Sequence, residues 1–258
     1  MTTYQGGKKR IGKRIYQVIK LIENDLYPGE KLDYFEPFIG MGGVMRHFGK
    51  ENDNDRKLYA CDYNKDLILL WKELQKGWKP PKKCSKEKYE KLKNSKEHSA
   101  ERAFIGIVAS WGGIFFVNYR LHYKKDKDFL GEGYRGLMDI KPDMENVKFF
   151  NASSYDEFEP KNFLIYCDPP YKDNNLNSKY FKNFDHDKFW NVMRKWSKNN
   201  LVIISESTAP KDFKKIWYTT SSSTNISGTI KYKDCLYIHE KYFKKIENKT
   251  LKEIKNIL

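Results

Sequence analysis

The sequence predicts an α/β fold with a largely parallel sheet covered by helices on both faces. Three observations predict it. Short apolar runs at 34–38, 57–62, 147–150, 164–166 and 201–205 alternate with stretches whose apolar residues recur at helical spacing. Three of those runs end in residues suited to a ligand-facing turn: Gly40-Met41-Gly42-Gly43, Asp62, and Asp168-Pro169-Pro170-Tyr171. Hydrophobic residues make up 39% of the 258 positions. That is enough core for one large α/β domain with an insertion, or for two small domains.

Each element follows from local chemistry. Residues 1–15 open with Gly6-Gly7-Lys8-Lys9-Arg10, and Ile11, Ile15, Val18, Ile19 and Ile22 mark the apolar face of a first helix. Pro28-Gly29 breaks it. Tyr34-Phe35-Glu36-Pro37-Phe38 ends a strand, the glycine turn follows, and a short helix runs through Phe48. A second strand, Lys57-Leu58-Tyr59-Ala60-Cys61-Asp62, closes on an acid before a helix opened by Leu67-Ile68-Leu69-Leu70-Trp71. Between 76 and 96, nine lysines stand against only Glu87 and Glu90, and Pro80-Pro81 interrupts them. This change of character starts an inserted region. Residues 103–110 form an apolar helix ended by Trp111-Gly112-Gly113, and an aromatic, basic loop extends to Tyr134-Arg135-Gly136. Strands resume at 147–150, 164–166 and 201–205, with a helix near 187–197. The Ser/Thr-rich stretch 219–227 reads as a mobile loop and 234–238 as the last strand. The lysine-rich tail 244–258 carries Leu251, Ile254, Ile257 and Leu258 at helical spacing.

The formal net charge is +15 and the isoelectric point near 9.4. Such an excess favours a polyanionic partner, because lysine and arginine neutralise phosphates and release counterions. A lysine-rich source proteome is the plainer alternative. The four cysteines, Cys61, Cys84, Cys167 and Cys235, make no Cys-x-x-Cys pair and suit reduced thiols inside a cell. The first residues turn basic at Lys8 and lack the apolar stretch of a signal peptide. No run approaches the roughly 20 apolar residues that span a membrane. An intracellular, cytoplasmic protein with no membrane partner is expected.

Glycines at 40, 42 and 43 let the backbone approach a ligand closely, and Asp62 follows 19 residues after Gly43. An acid there is placed to hydrogen-bond the ribose of an adenosine-type cofactor. A purely structural turn would also explain the glycines. The dinucleotide spacing Gly-x-Gly-x-x-Gly is absent, since position 45 is Met, which disfavours nicotinamide dinucleotides. Asp168-Pro169-Pro170-Tyr171 has a bland reading as a rigid turn with a packed tyrosine. It also meets a specific need. Methylating an exocyclic base amine requires acceptors aimed at a poorly nucleophilic NH2 and an aromatic face to hold the base. A carboxylate, a proline-fixed carbonyl and a tyrosine supply these within four residues. All three motifs fall at carboxyl ends of strands, where open α/β sheets bind ligands.

In order and identity these segments resemble the Dam-type DNA adenine-N6 methyltransferases. Tyr4-Gln5-Gly6-Gly7-Lys8 resembles the family's N-terminal cofactor motif, Glu36-Pro37-Phe38-Ile39-Gly40-Met41-Gly42 its glycine motif, and Cys61-Asp62-Tyr63-Asn64 its ribose-binding acid. Asn151-Ala152-Ser153-Ser154-Tyr155-Asp156 resembles the segment beside the cofactor adenine, and Asp168-Pro169-Pro170-Tyr171 the catalytic motif. The resemblance spans about 4–72 and 147–240. It implies a Rossmann-like fold with a mainly parallel seven-stranded sheet and a smaller, mostly helical inserted recognition region. It implies a discontinuous catalytic domain at 1–72 and 147–243, a target-recognition insertion at 73–146 and a basic tail at 244–258.

The cofactor implied is S-adenosylmethionine, with no metal. Tyr4, Gly7 and Lys8 would hold its methionine end, although Lys8 has an alternative as one more DNA-facing lysine. Glu36, Pro37, Phe38, Gly40, Gly42 and Gly43 would line the cofactor, Asp62 would take the ribose, and Ser153 and Ser154 the adenine side. Asp168, beside the transferred methyl, counts in both the cofactor and catalytic sets with Pro169, Pro170 and Tyr171. The partner implied is double-stranded DNA with its target adenine flipped out. The insertion lacks a convincing copy of the family's Phe-Asn-x-Pro-x-Gly element, so no recognition sequence is carried over. Arg120, Lys124, Lys125 and Arg135, interleaved with Tyr119, Tyr123 and Tyr134, are the candidate DNA contacts. A solvated basic face over packed aromatics is the other reading. Cytosine-N4 methylation and a catalytically silent DNA-binding relative are the alternative functions. A cognate restriction endonuclease and a monomer or weak dimer complete the expectations.

Overall fold

The computed structural model describes residues 7–51, 55–120, 127–151, 154–172, 184–225 and 228–257, without the side chains of 221–225 and 228–232. Tyr4, Tyr123, Lys124, Lys125 and Ser153 lie outside the described residues. Helix α1 (Gly12–Leu26) buries Ile15, Val18, Ile19 and Ile22, the face that its spacing marks. Strand β1 (Asp33–Glu36), α2 (Met45–Lys50), β2 (Leu58–Ala60) and α3 (Lys65–Gln75) follow. The Asn64 side chain caps α3 by accepting from the Asp66 amide. The insertion contributes α4 (Lys86–Asn94), α5 (Ala100–Val108) and α6 (Phe129–Ile140). The sheet resumes with β3 (Val147–Phe149) and β4 (Phe163–Cys167). Then come α7 (His186–Trp196), β5 (Leu201–Glu206), β6 (Phe213–Asn225), β7 (Gly228–His239), α8 (Glu240–Phe243) and α9 (Asn248–Lys255).

The seven strands form one sheet in the order β3-β2-β1-β4-β5-β7-β6. Strands β1 to β5 pair in parallel, and β7 enters antiparallel between β5 and β6. This is the expected Rossmann-like, mainly parallel seven-stranded sheet. Both faces are covered. One core holds Ile15, Ile19, Tyr34, Leu58, Trp71 and Phe104; the other holds Phe35, Ile165, Phe189, Trp196 and Ile204. Strand order reverses between β1 and β4, so a crevice opens at their carboxyl ends.

Two segments differ from their sequence reading. Residues 219–225, expected as a mobile loop, continue β6 and pair with β7 as far as Asn225↔Gly228. Serines and threonines carry no apolar alternation, but the cross-strand ladder satisfies their backbone. Residues 129–136, expected as part of a basic loop, lie in α6, whose Asp128 cap accepts from the Gly131 amide. Its glycines hide the helical pattern for a packing reason. A Cβ on Gly133 would lie 2.6 Å from Val108 Cγ1, so only glycine lets α6 approach α5 this closely. The insertion is helical, and its Tyr89, Phe104 and Leu137 belong to the same core cluster as the buried face of α1. The C-terminal residues form α9, which buries Ile254 and places the Ile257 carbonyl 2.9 Å from Trp217 Nε1.

Candidate active site

The turn after β1 is built around glycines at positive φ, +46° at Gly40 and +65° at Gly42. A Cβ on Gly43 would sit 3.0 Å from the Lys8 carbonyl carbon and 3.1 Å from the Lys9 amide nitrogen. The close approach this glycine permits is therefore to the protein's own chain: it seats the segment before α1 on the turn and carries Lys8 into the crevice. Asp62 locks the turns after β1 and β2 together. Its carboxylate accepts from the Gly40 amide and the Asn64 amide, both at 2.9 Å. Burial pushes this acid up to about 6, against the pull of those two amides. Trp71 Nε1 donates to the Gly40 carbonyl at 3.0 Å.

Four side chains meet where β4 ends. Lys8, 8% exposed, places Nζ 2.8 Å from Asp168 Oδ1 and 3.4 Å from Asp234 Oδ1. The same ammonium lies 4.6 Å from the centroid of the Tyr171 ring. The Tyr171 hydroxyl is 2.6 Å from Ser205 Oγ and donates to Asp234 Oδ1 at 3.0 Å. Burial raises the Asp168 carboxyl to about 6, although Lys8 draws it back. For Lys8, burial opposes the charge, but Asp168, Tyr166 and Asp234 together raise its pKa above the ordinary lysine value. Glu36 lies buried at the end of β1, accepts from the Tyr34 hydroxyl at 2.6 Å, and is raised by burial to about 8.

An aromatic cluster gathers at the turn after β1. Phe38 lies 5.1 Å from Tyr155 and 6.0 Å from Phe184, centroid to centroid. Ser154 donates to Asp156, which pairs with Lys188 at 2.7 Å. Pro37 is buried, and its carbonyl lies 3.6 Å from Cys61 Sγ. Gly7 is exposed just before Lys8.

The fold thus gathers Lys8, Asp168 and Tyr171 from segments 160 residues apart, and it adds residues that the sequence reading missed. Asp234 opens no recognisable motif; only its place in β7 brings it to Tyr171. Ser205 reads as the end of an apolar strand. Glu206 accepts from the Lys172 amide at 3.3 Å and so anchors the chain leaving the motif.

Among the candidate DNA contacts, Arg120 needs correction. It is 9% exposed, donates through Nε to the Val108 carbonyl at 2.9 Å, and lies 4.2 Å from the Phe129 ring. It is a strut between α5 and α6 rather than a surface cation. Tyr119 likewise points inward, where its hydroxyl donates to the Cys84 carbonyl at 2.7 Å. Arg135 is exposed, with a guanidinium nitrogen 3.6 Å from Asp128 Oδ2. Among the described residues, no group of three His, Cys, Asp or Glu side chains is placed to hold a metal ion. Among the described residues, no helix is long and apolar enough to cross a membrane.

The donor set fits S-adenosylmethionine. A glycine turn with positive φ stands at the end of β1, an acid at the end of the neighbouring strand, aromatic rings beside the turn, and a buried ammonium paired with Asp168 and Asp234.

Residues 4–109 match the family model of the D12 class N6 adenine-specific DNA methyltransferases. The Type II methyltransferase M.MjaIII of Methanocaldococcus jannaschii is 22% identical over 247 residues, covering 81% of this chain and 84% of its own. Solved structures that resemble the chain include the rRNA methyltransferase aviRa from Streptomyces viridochromogenes. It shows a TM-score of 0.39 and 6% identity, covering 89% of this chain and 86% of that one. Another is precorrin-6y C5,15-methyltransferase from Geobacter metallireducens, with a TM-score of 0.35 and 8% identity, covering 86% and 84%. These likenesses are too distant to bear on substrate. The family match takes in Lys8, the glycine turn and Asp62, and the Asp-Pro-Pro-Tyr turn that follows β4 lies beyond it. The match over residues 4–109 and the Type II methyltransferase relative together support an S-adenosylmethionine-dependent, N6 adenine-specific DNA methyltransferase, similar over that stretch to the D12 class.

Proposed function

We propose that the Asp168–Tyr171 turn methylates the N6 amino group of an adenine flipped out of duplex DNA. The observation that carries this reading is the meeting of Lys8, Asp168, Tyr171 and Asp234 at the carboxyl end of β4. Asp168 and the Pro169 carbonyl accept the two N–H hydrogens, which draws the nitrogen toward sp3 character and aims its lone pair. Pro170 holds the turn rigid, and Tyr171 stacks on the base. Alignment and electrostatics supply the catalysis, with no covalent intermediate on the protein. S-adenosylmethionine would supply a methyl group from a positively charged sulfur, the S–C bond breaking to leave S-adenosylhomocysteine; the methylated amino group sheds one proton, to Asp168 or to water, and no metal is invoked.

In this reading Tyr4, Gly7 and Lys8 hold the methionine end. Glu36, Pro37, Phe38, Gly40, Gly42 and Gly43 line the cofactor, Asp62 takes the ribose, and Ser153 and Ser154 lie on the adenine side. Lys8 serves two carboxylates, that of Asp168 and that of the methionine end. Moving its charge to the second frees Asp168 to accept from the base. Residues 73–146 carry target recognition, with Lys124, Lys125 and Arg135 toward DNA. Residues 1–72 and 147–243 carry catalysis, and the tail from 244 braces α1. The protein acts in the cytoplasm on its target DNA as a monomer or weak dimer, with a restriction endonuclease as a compatible companion.

The test is nucleoside mass spectrometry of unmethylated duplex DNA after incubation with the protein and S-adenosylmethionine, beside an Asp168→Ala control. N6-methyladenine made only by the unaltered protein is the expected result. N4-methylcytosine would overturn the base, and an active Asp168→Ala variant would overturn the role of Asp168.

A further inference from the structure

The last hairpin extends well past the sheet. Strand β5 ends at Glu206, whose partner on β7 is Cys235. Everything earlier on β7, and everything from Thr219 onward on β6, projects beyond the carboxyl end of β5. Seven pairs, from Thr219↔Asp234 to Asn225↔Gly228, make up the projection. At about 3.3 Å per residue it reaches roughly 20 Å past the sheet edge. Asp168 lies on that same edge, and Asp234, the first projecting residue of β7, touches both Tyr171 and Lys8. The hairpin therefore rises from the rim of the catalytic crevice.

Its base is braced and charged. On one face, the Arg14 guanidinium from α1 reaches Thr219 Oγ1 at 3.4 Å and packs 5.9 Å from the Trp217 ring. On the other face stands Tyr218, 58% exposed. Two ammonium groups converge on its ring, Lys233 at 4.9 Å and Lys215 at 5.4 Å from the centroid. Among the described residues neither lysine has a carboxylate partner. Two like charges held against one exposed ring repel, and an anion bridging them relieves the repulsion.

Position narrows the choice of anion. The helical insertion packs on α3, next to β3 at one edge of the sheet, while the hairpin stands at the opposite edge. Strand β4, with the catalytic turn, lies between them. A duplex laid across the crevice would meet both.

We infer that the β6–β7 hairpin is a second DNA arm, whose Lys215–Tyr218–Lys233 face meets the phosphate backbone beside the target base. The inference rests on the DNA-methyltransferase reading and adds a contact surface outside the insertion. Phosphate contacts carry no sequence information, so the arm supports position and affinity rather than recognition.

The test compares the unaltered protein with the double variant Lys215→Ala, Lys233→Ala and with Tyr218→Ala. Duplex affinity is measured across a salt series, together with KM for DNA and S-adenosylmethionine affinity. The double variant is expected to bind duplex roughly tenfold more weakly at low salt, on target and unrelated sequences alike. Its salt slope should be shallower by about two. Cofactor affinity and kcat at saturating DNA should stay within about twofold. Equal affinity and slope in an unaltered protein that methylates DNA would overturn the arm alone. A loss confined to the target sequence would overturn its assignment to phosphate. If the unaltered protein neither binds nor methylates DNA, the arm falls together with the reading beneath it.

Discussion

The Lys8 ammonium lies 2.8 Å from an Asp168 carboxylate oxygen and 4.6 Å from the centre of the Tyr171 ring. One cation thus faces both groups assigned to the target base: the acceptor for its amino group and the surface for its ring. Gly43 favours the relationship, because a Cβ there would lie 3.0 Å from the Lys8 carbonyl carbon and the Lys8–Lys9 backbone would have to give way by a few tenths of an ångström. The charge on Lys8 then sets how readily Asp168 ionises.

That coupling predicts a pH signature. Asp168 is raised to about 6 by burial, less the pull of Lys8, and its ionised form is the stronger acceptor for the amino group. The acid limb of kcat/KM should therefore fall near pH 6. Lys8→Met removes the stabilising cation, so the carboxyl ionises less readily and the limb should move to higher pH. A pH–rate profile checks this, and a limb that stays put or moves down would separate Lys8 from Asp168.

Asp62 should matter to the cofactor through the turns it joins. Asp62→Ala removes two hydrogen bonds from backbone amides to a largely buried carboxylate. We expect S-adenosylmethionine affinity to fall at least about tenfold and stability by about 1–3 kcal/mol. Titration calorimetry gives the first and thermal unfolding the second. An unchanged dissociation constant would remove Asp62 from the cofactor site.

Glu36 predicts a stability change with a definite sign. Its carboxyl is raised from an ordinary value of 4.5 to about 8, chiefly by burial. Between those values the folded state binds more protons than the unfolded state, so stability from this group declines as pH rises toward 8. Glu36→Gln keeps an acceptor for Tyr34 and cannot ionise. Its advantage over the unaltered protein should be near zero below pH 4.5 and reach about 1–3 kcal/mol at pH 9. Denaturant unfolding at several pH values measures it, and an advantage that shrinks with rising pH would refute the assignment.

Arg120 separates packing from DNA contact. Arg120→Ala deletes a hydrogen bond to the Val108 carbonyl and the contact with Phe129. A loss of about 1–3 kcal/mol in stability is expected, while the salt slope of DNA binding stays unchanged. A slope shallower by about one, with stability intact, would return Arg120 to the DNA surface.

What the chain's own order of residues determined is local. The α1 face of Ile15, Val18, Ile19 and Ile22 follows from helical period alone. So do the ends of β1, β2 and β4, where Gly40, Asp62 and Asp168 each stand next to an apolar run. The placement of all three in one crevice follows from a parallel sheet, in which strand ends share an edge. Other features needed tertiary partners. Strand β6 is rich in serine and threonine and has meaning only against β7. Helix α6 hides its pattern behind glycines that α5 requires. Arg120 reads as a surface cation until Phe129 and the Val108 carbonyl surround it. Asp234 is an unmarked acid until the antiparallel insertion of β7 lays it on Tyr171. Periodicity records which face of an element is buried. It does not record which distant element covers that face, and the charged residues around this site take their roles from those distant neighbours.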